Sequence, residues 1–202
     1  MPNFTDLAGL ASVASAAAAA ALLVPGIARI HRYRMLSGLL FVLMLIPFGE
    51  LSLAAYLRGV TGDLSITTLL LIGCALLRPW FGCGSNDTGK RRALAILVAL
   101  AALLLYPLAL GLTAFDPYRL GYGETQFVTA LLLIALAAWI RKYHQIASCI
   151  VLATLAWTVG WYESGNLWDY LLDPWLAIYA LSVIALHGVR ILLQHGKTHE
   201  TR

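Results

Sequence analysis

Apolar runs of bilayer length recur along this chain, and they leave few folds open to it. A hydrocarbon core of about 30 Å takes roughly 20 residues of helix rising about 1.5 Å per residue. Seven segments qualify as candidate spans, at 7–28, 35–57, 64–77, 93–115, 124–140, 146–161 and 175–193. The third, fifth and sixth are short, and six spans is the alternative if two of them form one re-entrant pair. The predicted fold class is therefore an all-α polytopic membrane protein of about seven helices. It forms a single transmembrane domain over residues 1–202, with no stretch left for a separate soluble domain.

Composition agrees. Of the 202 residues, 60% are hydrophobic and only 12% charged, against about 25% charged in soluble domains. That excludes a secreted disulfide scaffold, a disordered tail and an ordinary soluble enzyme. The first span is expected to be a retained helix rather than a cleaved signal. Residues 1–6 hold no Lys or Arg, and Asp6 is the one charge there, whereas a signal peptide opens on a basic region.

The few charges orient the chain. With the N-terminus outside, the inner side receives Arg29, Arg32, Arg34, Arg78, Lys90, Arg91, Arg92, Arg141, Lys142, Arg190, Lys197 and Arg202, and the outer side only Arg58 and Arg119. Basic residues in short loops stay cytoplasmic, so the C-terminus is expected inside. The acidic residues sort the other way. Asp6, Glu50, Asp63, Asp116, Glu124, Glu163, Asp169 and Asp173 lie in or toward the outer half, with Asp87 and Glu200 inside. The net charge of +4 is thus a topology signal rather than a nucleic-acid footprint, and no nucleic-acid partner is expected. Cys74, Cys83 and Cys149 form no CxxC and lie inward, as unpaired thiols of a reducing compartment do.

Several motifs are weaker than they look. Gly84 to Lys90 has P-loop spacing, but Arg91 replaces the metal-binding Ser or Thr and no strand precedes it. It reads as a flexible turn before a basic cluster. Gly121-Tyr122-Gly123-Glu124 has the look of a potassium-channel filter, but too few residues separate it from the fourth span for a pore helix. Its glycines suit a tight outer turn with positive φ. His31, His144, His187, His195 and His199 lie toward the cytoplasmic edge, with no HExxH. No GxSxG occurs, and no Lys lies inside a span to carry a retinal Schiff base. Gly9 and the Ala-rich stretch 14–21 allow close helix approach. No cofactor and no metal are expected.

Two places could carry chemistry. Glu50 falls inside the second span, after Pro47 and Gly49. A carboxylate at that depth is costly and usually faces a bundle interior or a wet cavity. A Pro-kinked helix beside it suits a proton- or cation-coupled site. The plainer reading is a structural carboxylate, neutral or paired with Arg58 or Arg119.

The second place is the aromatic and acidic segment 157–175. Asn166 would cap a short helix, and Pro174 would open the last span. Leu167, Trp168, Leu171 and Leu172 share one face, with Asp169 and Asp173 at i and i+4 on another. An outer vestibule is then expected from Asp116, Tyr118, Arg119, Glu124, Glu163, Asn166, Asp169 and Asp173. It could take a divalent cation, a polyhydroxylated headgroup or the basic surface of a partner protein. The plainer reading is an interfacial aromatic belt with a loop.

Three functions follow. The preferred one is a non-catalytic accessory subunit of a membrane enzyme or export complex. It would sit in the lipid bilayer of a cell membrane, a bacterial inner membrane, beside an integral-membrane or extracytoplasmic partner. The others are a small proton- or cation-coupled transporter using Glu50, and an intramembrane enzyme acting on a lipid-linked or extracytoplasmic substrate.

Overall fold

A computed structural model describes residues 4–22, 33–81, 87–112 and 114–200. The chain is mostly helical (79%) and all-α. Its elements are α1 (Phe4–Leu22), α2 (Tyr33–Leu45), a two-stranded hairpin of β1 (Pro47–Phe48) and β2 (Leu51–Ser52), α3 (Leu53–Thr61), α4 (Ile66–Phe81) and α5 (Thr88–Ala109). A 3-10 helix (Pro117–Tyr122), α6 (Thr125–Ile140), α7 (His144–Thr158), α8 (Leu167–Leu171) and α9 (Pro174–Glu200) follow. Residues 82–86, with Cys83 and the first three positions of the P-loop-like spacing, lie outside the described residues, as do Arg29, His31, Arg32 and Arg202.

The second predicted span is not one helix. It divides into α2, the β1–β2 hairpin and α3. Pro47 has no N–H to continue the helical ladder, and Gly49 turns at φ 82°, a conformation that favours glycine. Phe48 and Leu51 then pair across the turn, and Ser52 restarts the helix by accepting from Ala55 N at 3.2 Å.

Length bears on the span count as well. The helix α5, with 22 residues and Pro107 inside it, is about 33 Å long and is long and apolar enough to cross a membrane. The other apolar helical stretches, at 5–20, 66–75, 125–140, 144–158 and 174–190, are shorter. Among the described residues, α5 is the one helix that is long and apolar enough to cross a membrane.

The main core is built by α5, α6, α7 and α9 together with Trp168 and Leu172. Ala95, Ala99 and Ala102 on α5 are buried, as are Ala177 and Ala180 on α9. Small residues at these spacings let helix backbones approach closely. Leu94 and Leu105 of α5 and Leu176 of α9 join them in the core, while Leu100, Leu103 and Leu104 of α5, Leu132, Leu133 and Leu136 of α6, and Ile178 and Leu186 of α9 are exposed. Helix α1 packs on α2, α3 and α4 and buries Ala14, Ala18 and Ala19, as its composition leads one to expect.

Charge divides between the two ends of the bundle. The first turn of α5 carries Lys90, Arg91 and Arg92, and Arg141 and Lys142 follow the end of α6. These form a basic end. The opposite end is capped by the 3-10 helix, the turn at 159–166 and α8.

Candidate functional site

The cap is assembled around Asn166, which is wholly buried. Its Oδ1 accepts from Trp168 N at 3.0 Å, capping α8 as its position after a turn predicts. Its Nδ2 donates to the Tyr118 carbonyl at 2.9 Å, and its own N–H donates to Ser164 Oγ at 3.0 Å. Trp168 Nε1 donates to the Pro117 carbonyl at 3.0 Å. Two chain segments about fifty residues apart are thus tied through backbone carbonyls that neither helix satisfies for itself.

Asp169 lies half-buried beside this pair. Its carboxylate accepts from Tyr118 Oη at 2.9 and 3.1 Å and from Ser164 Oγ at 2.5 Å. Asp116 accepts from Tyr118 N at 2.9 Å and so opens the 3-10 helix. Gly121 stands against Asn166 and Trp168 so closely that a Cβ there would meet Trp168 Cδ1 at 2.8 Å. Gly123 closes the turn in the left-handed region, at φ 94°, as expected for this Gly-Tyr-Gly sequence.

Asp173 is the most deeply engaged carboxylate, 3% exposed. Its Oδ1 accepts from Leu176 N at 2.9 Å, capping α9. Its Oδ2 accepts from Ser65 N at 3.0 Å, from Ser65 Oγ at 2.7 Å and from Thr68 Oγ1. One carboxylate therefore serves the first turns of α4 and α9 together, where helix dipoles favour negative charge. Pro174 is the first residue of α9, where its missing N–H costs nothing.

Tyrosines complete the seal. Tyr162 Oη donates to the Leu64 carbonyl at 2.8 Å. Tyr170 Oη accepts from Tyr162 N at 3.0 Å and donates toward the carbonyls of Ser164 and Tyr162 at 3.0 and 3.2 Å. Burial raises the hydroxyl pKa of Tyr118, Tyr162 and Tyr170 above the ordinary tyrosine range, with the Asp169 charge adding to the shift at Tyr118 and Tyr170. Among the described residues, every buried side-chain polar atom has a hydrogen-bond partner.

Of the predicted vestibule, Asp116, Tyr118, Asn166 and Asp169 come together. Asp173 does not join them. It turns to α4, so Asp169 and Asp173 do not share the open face that an i, i+4 spacing suggests. The short helix packs into the cap, with Leu167 and Tyr170 both 0% exposed. Arg119, Glu124 and Glu163 lie exposed around the rim. Among the described residues, no group of three or more His, Cys, Asp or Glu side chains is placed to hold a metal ion.

Glu50 occupies the exposed turn of the β1–β2 hairpin rather than a helix interior. Arg58 belongs elsewhere. Its Nε and Nη2 donate to the two Asp63 oxygens at 2.6 and 3.1 Å, and its Nη1 donates to Asp6 at 3.0 Å. The hydrogen bond to Asp63 is the chief reason that its guanidinium pKa is raised. Gly9 lets α1 approach this pair, since a Cβ there would lie 2.6 Å from Arg58 Cζ.

The sequence reading missed Ser65, Thr68, Ser164 and the Arg58–Asp6–Asp63 cluster. A signal for the first two exists, because a Ser with a Thr three residues on, just before an apolar run, has the form of a helix N-terminus.

At the opposite end, a cavity of about 360 Å³ opens between α4, the start of α5 and the α6–α7 turn, lined among others by Lys90, Lys142, His144 and Ser148. Comparison of the chain with protein-family models, curated proteins and solved structures yields no match.

Proposed function

We propose that this chain is a multi-pass integral membrane protein, of about seven helical passes with the N-terminus outside and the C-terminus in the cytoplasm, and that it acts as a non-catalytic accessory subunit of a larger membrane assembly. The observation that carries the reading is the run of leucines exposed along α5 and α6. Alanines line the α5–α9 contact, while Leu100, Leu103, Leu104, Leu132, Leu133 and Leu136 point away from the protein. A soluble fold would place those leucines inside, whereas lipid is as apolar as leucine and lets small residues take the helix contacts.

Two further features support it. The basic residues gather at one end, as the positive-inside rule leads one to expect, and most acidic ones lie at the other. The polar groups of the cap are spent on holding helix ends together, so the surface left for a partner is the acidic and aromatic rim of Glu124, Glu163, Tyr122, Trp161 and Trp175. Rim charges of one sign recruit a partner of the other.

Two measurements test the reading. Alkaline extraction should leave the chain in the membrane fraction, and cysteine-accessibility labelling should find Glu163 and Arg141 on opposite sides. Purification in mild detergent should then recover one partner in fixed ratio, lost on Glu124→Lys with Glu163→Lys. A chain released by alkali, or one that runs alone and acts alone, overturns it.

A further inference from the structure

The cavity at the basic end is built differently from the cap. Lys90 from the first turn of α5, Lys142 from the α6–α7 turn and His144, Gln145 and Ser148 from α7 line it. Among the described residues lining it none is acidic. Its volume of about 360 Å³ lies within the range of roughly 300–1,000 Å³ typical of small-ligand sites.

Lys142 supplies an independent observation. It follows the end of α6, where its N–H donates to the Trp139 carbonyl at 2.9 Å and Tyr143 N donates to the Ala138 carbonyl at 2.8 Å. That paired return is the Schellman ending of a helix, whose left-handed position is usually glycine. Here Lys142 occupies it at φ 63°, while every other positive-φ residue among the described ones is a glycine. A side chain with a Cβ resists this conformation, and strain of this kind gathers at functional sites. What lysine brings to the position is its charge at the cavity mouth.

The next element adds to the same field. Helix α7 has 15 residues and no side-chain cap on its first turn, and its first residues, His144, Gln145 and Ile146, line the space that the two lysines flank, at the helix end whose dipole favours an anion. Beside Lys142, Trp139 and Ile140 are 58% and 70% exposed, and the cavity itself includes Leu70 and Ile146. Cationic groups and an open helix start therefore adjoin apolar surface.

We propose that this cavity binds the phosphate of an anionic phospholipid headgroup, with Lys90, Lys142 and the start of α7 on the phosphate and the acyl chains along the α6 surface. Basic pockets of this kind between helices take up phospholipid headgroups. The choice of a lipid rather than a free phosphate as the source rests on the membrane reading above. Arg and Lys pair with phosphate through charge-assisted hydrogen bonds, and lysine does so as a compact point charge.

The test uses the purified full chain in a neutral maltoside detergent, with dioctanoyl phosphatidic acid, dioctanoylglycerol and inorganic phosphate as probes in native mass spectrometry. Phosphatidic acid is expected to bind, with the other two at least about tenfold weaker. Lys142→Gly should weaken phosphatidic acid by about tenfold or more while the thermal midpoint stays level or rises, because glycine relieves the left-handed strain. Lys90→Gln should weaken it likewise, and Arg190→Gln, outside the cavity, should not. Equal binding of dioctanoylglycerol, equal binding of inorganic phosphate, or unchanged affinity in both lysine variants overturns the assignment. If the Lys142 variant does not fold, Lys90→Gln decides alone. Failure of the membrane reading would show separately, as release of the chain by alkali.

Discussion

The carboxylate of Asp173 accepts hydrogen bonds from both the N–H and the hydroxyl of Ser65, at 3.0 and 2.7 Å, across 108 residues of chain. Its other oxygen caps α9 through Leu176 N. Asp173→Ala removes two helix caps at once and strands the buried N–H of Ser65. The cost should be on the order of 3 kcal/mol, read as a fall in the unfolding midpoint in detergent. Asp173→Asn should cost less, since one amide oxygen still serves one helix. A loss below about 0.5 kcal/mol for the alanine variant, the range of an ordinary surface change, would remove Asp173 from this role.

Gly121 and Asn166 should behave as one unit. A methyl at Gly121 runs into the Asn166 side chain and Trp168, so Gly121→Ala should destabilise by about 1–3 kcal/mol through overpacking. Gly165→Ala, with nothing within 4 Å of its added Cβ, is the matched control and should be near neutral. In an Asn166→Ala background, the Gly121→Ala cost should shrink. Strict additivity in that double-mutant cycle would show that the two do not touch.

Arg58 holds the carboxylates of Asp6 and Asp63, and its side chain is 18% exposed. Arg58→Met leaves Asp6 and Asp63 facing each other across Gly9. The expected loss is about 2 kcal/mol, between the values for exposed and buried pairs. Adding Asp63→Asn should recover part of it, and roughly 1 M salt should narrow the gap between wild type and Arg58→Met. A second variant that falls further than the first would count against the cluster.

Local features of this fold are legible in the sequence, and cross-chain pairings are not. The apolar runs, the Asn166 cap, Pro174 at the start of α9 and the left-handed Gly123 all follow from local chemistry, and local chemistry is what a sequence displays. The division of charge between the two ends is legible for the same reason. The break at Pro47 and Gly49 is harder. Those residues fit a kinked helix as well as they fit a hairpin, and the choice depends on how α1 packs against α2 and α3. Polar pairing is harder still. Arg58 pairs with Asp6 and Asp63 rather than Glu50, and Asp173 with Ser65 rather than with its neighbour Asp169, because helix approach decides which groups meet. Lys142 is the clearest case. In the sequence it is one more residue of a basic cluster, and only the backbone angle sets it apart.

Alkali should loosen the cap before it reaches the helices. The hydroxyls of Tyr118, Tyr162 and Tyr170 have pKa values raised by burial, so the folded chain holds these protons more tightly than the unfolded one. A raised pKa contributes stability that is present in full below the unfolded value of about 10. It is lost as pH climbs from there through the folded value. The thermal midpoint should therefore be level between about pH 8 and 10 as far as these groups are concerned, and fall above that. Tyr118→Phe deletes one of the titrating groups along with its bond to Asp169. It should lower the midpoint at neutral pH and flatten the decline above pH 10. Absorbance near 295 nm, which follows tyrosinate, should rise later in the folded chain than in the unfolded one. If the two rises coincide, or the Phe variant declines as steeply as wild type, the cap tyrosines are not held by the contacts described for them.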